Sequence, residues 1–356
     1  MAVRRVLSPC ALIPSSPGGM IPVLSKNHIH PYTIQPHQQA RSFASRSPPK
    51  APSYAEVFTL SDIPLSSFES VISRNGSSFT DLSPEEYYSV AQKFSDAINR
   101  GSSPWTSSFT GSTLTLSPPR SSPAPNHKTN STPEDAIPAE TLHNVACIMR
   151  QITGPRSADA FATALWSTAS EMGYRPSTLS LARQLVRSGA YGRVPQLRRV
   201  EARFKGLVSS GKDADALTAE GELLLEQGRL DAAAAALKKA LKLSQGFEWR
   251  PYCQLCLART YLQMGKFDDA RGLFEELAEE GVVEADMELA EMLKGSDVDE
   301  ARQRMYTAAC NGRRDMFTRL SEMELELETV GGEEDGAERK LWATEWSKLA
   351  DGRVEY

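Results

Sequence analysis

The chain has 356 residues, room for one or two domains, but only 40% are apolar and most of its 22 prolines precede Ala139. About a third of it is therefore too poor in core-forming residues to fold by burial alone. Five scattered cysteines exclude a secreted disulfide framework. No apolar run approaches the ~20 residues of a membrane-spanning helix. The net charge of −5 is unevenly spread: residues 146–206 carry +7 and residues 207–356 carry −13.

The first 55 residues hold Arg4, Arg5, Lys26, Arg41, Arg46 and Lys50 and no Asp or Glu. A basic, Ser-rich, acid-free leader is the composition of a mitochondrial transit peptide. Residues 1–43 are expected to be that leader, with Arg41-Ser42-Phe43 as a matrix-processing site cut after Phe43. The inward-negative membrane potential pulls on such a segment. Cleavage would take away Arg4, Arg5, Lys26 and Arg41 and lower the net charge from −5 to −9. The expected address is the matrix or the matrix face of the inner membrane, the alternative being a disordered basic tail.

Residues 44–100 read as a weakly folded lead-in with one or two short helices. The better one opens at Ser83-Pro84-Glu85-Glu86, with Ser as N-cap, Pro in the first turn and acids at the positive end of the helix dipole. Residues 101–138 are dominated by Ser, Thr and Pro and read as a linker in which Trp105 and Phe109 stand out. The helical pattern resumes after Pro138, and 139–356 is expected to be one helical repeat domain. Val330–Gly336, acidic and Gly-rich, reads as a flexible break before a last helix over Ala337–Leu349.

The pattern is strongest from Leu217 to Glu280. Gly221, Leu224, Gly228, Ala233, Leu237 and Ala240 recur at the same offsets as Ala258, Tyr261, Gly265, Ala270, Phe274 and Leu277, one unit later. A small residue three positions before a large one puts both on one helical face. Gly228 and Gly265 follow where a left-handed C-cap would end a helix. Ala233 and Ala270 allow close approach of two helices, and Leu237 and Phe274 plug the space a turn later. One such hairpin cannot bury its apolar stripe alone, so these units stack.

The pattern resembles the tetratricopeptide repeat, most closely over Leu257–Ala270, and drifts toward the Sel1-like type at Ala308-Ala309-Cys310-Asn311-Gly312. It departs from the family at Gln254 and Leu217, where an early aromatic is usual, and neither unit has the closing proline. The resemblance implies an all-α fold, an α-solenoid of tetratricopeptide/Sel1-like hairpins, about four to six of them, behind a largely disordered N-terminal region. It also implies a protein partner held in a groove lined by first-helix residues, for which Glu222, Leu225, Gln254, Arg259 and Leu262 are the candidates.

No phosphate-binding glycine loop, nucleophile elbow or His-Glu-x-x-His motif is present, and no catalytic, cofactor or metal site is assigned. Cys253 and Cys256 have metal-ligand spacing but lack a second pair of ligands, and they read as small packing residues. Phe274–Val282 and Trp166–Pro176 also resemble pentatricopeptide repeats, which read single-stranded RNA. Arg183, Arg187, Arg193, Arg198, Arg199, Arg203 and Lys205 could meet phosphates. The −13 of residues 207–356 repels a polyanion, so a mitochondrial adaptor or assembly factor with a protein partner is the reading favoured over RNA.

Overall fold

The computed structural model describes residues 54–105, 137–243, 246–328 and 333–351. The expected leader and most of the linker, Phe109 included, lie outside the described residues. The fold is all-α, as the 3.6-residue periodicity requires, and every regular element among the described residues is helical. Chain contacts divide it into two compact units, Met1–Met172 and Gly173–Tyr356. None of the described helices is long and apolar enough to cross a membrane.

The first unit contains α1 (Tyr54–Val57), α2 (Leu65–Asn75), α3 (Pro84–Asn99), α4 (Ala139–Gln151) and α5 (Arg156–Glu171). The opening of α3 carries the cap written in its sequence. Ser83 Oγ accepts from the Glu86 N–H, and the Glu86 carboxylate accepts from the Ser83 N–H at 2.7 Å. The α4–α5 hairpin carries α2 and α3 against α4 and α1 against α5. Their core is aromatic: Phe58, Phe94 and Phe161 meet with ring centroids 5.5–5.9 Å apart. Each buried ring contributes roughly 1.5–3 kcal/mol by leaving water. Trp105 also lies edge-on against Phe58, at 6.4 Å, which gives that linker aromatic an intramolecular contact.

Among its described residues the second unit is a run of five hairpins. They are α6 (Arg175–Arg187) with α7 (Arg198–Ser210), α8 (Ala214–Glu226) with α9 (Leu230–Leu243), and α10 (Arg250–Gln263) with α11 (Phe267–Glu279). The last two are α12 (Val283–Leu293) with α13 (Val298–Cys310), and α14 (Asp315–Glu328) with α15 (Glu333–Ala350). Each hairpin packs on the next, α9 on α10, α11 on α12 and α13 on α14. The last helix begins earlier than composition indicates. Its first turn lies in the acidic, Gly-rich segment read as a flexible break.

Gly228 and Gly265 end α8 and α10 at φ +70° and +75°, a left-handed region costly for other residues. Behind them the Arg229 N–H donates to the Leu224 carbonyl and the Lys266 N–H to the Tyr261 carbonyl, both at 2.9 Å. With the Gly228→Leu225 and Gly265→Leu262 bonds these are Schellman closures. Between the helices of one hairpin, Gly221 receives Leu237. A Cβ at Gly221 would stand closer to the Leu237 Cγ than real Cβ atoms stand to any neighbour. At the matching offsets Ala258 and Phe274 are fully buried in one core with Ala270, Leu277 and Tyr261, and Leu224, Leu225 and Ala233 form a smaller cluster.

Candidate functional site

The first helices of successive hairpins, α6, α8 and α10, also pack directly on one another. This arrangement decides where the five groove candidates stand. Glu222 and Gln254 are buried, and Leu225 is buried beside Leu224 and Ala233. Leu262 is half-buried against the main core. Arg259 is half-exposed, and its Nε donates to Glu288 Oε1 at 2.7 Å. The structure leaves Arg259 partly exposed in an ion pair with Glu288, and engages Glu222 and Leu225 within the molecule.

Glu222 is the centre of a node spanning three first helices. Its side chain is 6% exposed and that of Arg183, from α6, is 5%. Arg183 Nε donates to Glu222 Oε2 at 3.1 Å and Arg187 Nε to Oε1 at 2.7 Å. Arg187 Nη2 also donates to the Tyr252 hydroxyl of α10 at 3.0 Å. The Arg183 guanidinium lies over the Tyr252 ring at 3.9 Å and over Trp249 at 4.8 Å, so its charge is met by ring faces as well as by a carboxylate. Burial works to raise the Glu222 pKa, yet the two guanidiniums hold its carboxyl below the usual carboxylate range. One level along, Asp215 accepts from the Trp249 N–H at 3.2 Å and from Arg175 Nη2 at 2.6 Å.

Cys253 and Cys256 lie inside this packing. Burial pushes their thiols up to about 11 and about 12, so both stay protonated near neutrality. Cys253 Sγ donates to the Leu237 carbonyl at 3.5 Å. Among the described residues no group of three or more His, Cys, Asp or Glu is placed to hold a metal ion.

From α10 onward the pairs between first helices move to the surface. Arg259 reaches Glu288 on α12, Arg319 on α14 reaches Glu291, and Lys294 reaches Glu326 at 3.1 Å. The Arg259 and Glu288 side chains are 37% and 25% exposed. The Lys294–Glu326 and Arg319–Glu291 side chains are 39–64% exposed, and pairs that open contribute only about 0–1 kcal/mol each, so an incoming charged surface can take either of their partners at small cost. Sequence reasoning found Arg259 but not Glu288, Glu291, Arg319 or Lys294. A readable signal existed, because opposite charges recur 29 and 28 residues apart, close to one repeat.

Models of the tetratricopeptide repeat match residues 194–246 and 224–291. Those overlapping stretches run from just before α7 into α12, so this part of the array is similar to tetratricopeptide repeats, as its helical hairpins are. No curated protein matches the chain.

Proposed function

We propose that the chain is a mitochondrial adaptor or assembly factor that holds a protein partner on the first-helix face of α10, α12 and α14. The observation that carries the partner face is the half-exposed ladder Arg259–Glu288, Glu291–Arg319 and Lys294–Glu326. It offers both signs of charge in fixed order on rigid helices, which favours selection of a partner by charge pattern. The address is supported by the acid-free leader and the Arg41-Ser42-Phe43 site. The partner is a protein rather than RNA because residues 207–356 carry −13, which repels a polyanion, and Arg183 and Arg187 of the basic segment are engaged by Glu222.

The test is made on the full chain expressed in cells. Mature protein recovered from mitochondria is expected to begin at Ala44, and cross-linking is expected to join partner residues to α10, α12 or α14. Arg259→Glu, which repels Glu288, should cut partner recovery at least about tenfold, as for loss of a charge pair worth 1.4 kcal/mol or more, with little change in melting temperature. An uncleaved chain resident in the cytosol would refute the address. Cross-links confined to other faces would refute the site.

A further inference from the structure

The two repeats that agree in their apolar positions are opposite in charge. The offset of 37 residues that carries Ala233 to Ala270 and Leu237 to Phe274 also carries Lys238 to Glu275, Lys239 to Glu276 and Lys242 to Glu279. The three lysines of α9 are exposed, as are Glu276 and Glu279 of α11. These second helices thus share a packing face and differ in sign on the face turned outward. The helix α7 extends the basic side. Together α7 and α9 hold seven Lys or Arg and two acids, a net of +5, while α11 holds five acids and Arg271, a net of −4.

The two helices are neighbours. Lys238 Nζ of α9 and Lys266 Nζ, just before α11, lie over the same Tyr261 ring, 5.2 and 5.7 Å from its centroid. Their opposite charges nevertheless do not meet within the chain. Glu275 is engaged by Arg271 of its own helix at 2.7 Å. Among the described residues no ion pair engages Lys239, Lys242, Glu276 or Glu279. Apolar surface is exposed here too: Phe267, which opens α11, is 60% exposed and Leu243, which closes α9, is 43% exposed.

A surface positive on one half and negative on the other is its own complement under a two-fold rotation. We propose that two copies of this chain associate face to face through these second helices, about a two-fold axis lying between α9 and α11 and running along them. Each α9 then faces the α11 of the other copy, and every residue meets its counterpart one repeat on, Lys239 with Glu276 and Lys242 with Glu279. The mixed sign selects against nucleic acid and against an anionic lipid surface, since α11 repels what α7 and α9 attract. Helices of 13–14 residues are about 20 Å long and pack about 8–10 Å apart. Three of them on each copy bury about 1,000 Å² in a pair, the low end for specific association. The dimer is accordingly weak and salt-dependent, and it is independent of the α10–α14 face.

The experiment is sedimentation equilibrium of the full chain across micromolar concentrations. The expected result is a monomer–dimer equilibrium at about 0.05 M salt that weakens at least about tenfold at about 0.5 M, where charges are screened within a few ångströms. Lys239→Glu with Lys242→Glu, and Glu276→Lys with Glu279→Lys, are each expected to weaken self-association at least about tenfold. Mixing the two double variants is expected to restore a dimer holding one copy of each, because every reversed helix then faces one of opposite sign. Thermal melting of each variant separates loss of the surface from loss of the fold. Should a double variant melt early, Lys242→Glu and Glu279→Lys alone make the same comparison. A chain monomeric throughout, a dimer indifferent to salt and to both reversals, or no dimer on mixing folded variants would each overturn the proposal.

Discussion

Gly221 has no room for a side chain, because Leu237 of the facing helix occupies the space a Cβ would take. Gly221→Ala gains about 0.5–1 kcal/mol of helix propensity, but forcing a methyl into the packed seam costs about 1–3 kcal/mol. The packing cost outweighs the gain over most of that range, so a net loss of up to about 2.5 kcal/mol is expected, read as a lower urea midpoint. Glu222 is the costlier residue to change. Removing one partner of a buried ion pair costs about 3–5 kcal/mol, so Glu222→Gln is expected to destabilise the chain by that amount in urea. Its acid response has a definite sign. In the unfolded chain a glutamate titrates near ~4.3, whereas in the fold this carboxyl is held lower. The stabilisation is thus complete above ~4.3 and is lost as pH falls through the depressed value. Glu222→Gln should remove that part of the pH dependence. If both proteins share one acid profile, the node is not what holds these helices.

At the scale of elements, the left-handed closures are the parts the sequence states most directly, since few residues other than glycine take φ near +75°. Gly265→Ala is expected to cost about 1–2 kcal/mol, with thermal denaturation as the measurement. Meeting no atom within 4 Å, the added methyl isolates the backbone effect from packing. The hairpins over Leu217–Glu280 were legible because offsets along a helix translate directly into faces. What covers a face was not legible. Glu222 lies on the first-helix flank read as groove, yet Arg183 and Arg187, 39 and 35 residues earlier, close over it from α6. Spacing within a hairpin says nothing of that. The start of α15 was missed because a Gly-rich acidic stretch reads as flexible by composition, whereas the helix there begins at Glu333.

For the whole molecule, charge decides between kinds of partner. Two of the seven basic residues that could meet RNA, Arg183 and Arg187, are committed to Glu222, and residues 207–356 carry −13. Filter binding of the full chain to single-stranded RNA at about 150 mM salt should show no saturation up to about 10 μM, within the usual non-specific range. Micromolar binding with a steep salt slope would reverse the choice of partner class. A pair of opposite charges recurring near the repeat length was present in the sequence throughout. It went unread because side-chain exposure, which separates an exchangeable pair from a buried one, depends on neighbours brought in by stacking.

The Schellman closures carry a consequence for how such a molecule changes length. Each helix end closed this way is written in carbonyls three and five residues back, and each hairpin leans on the next. An additional hairpin spliced in after Gly281 would therefore bring its own punctuation and ask nothing of distant sequence. The array is extensible: duplication can alter its reach one module at a time while the aromatic helix α15 travels outward unchanged.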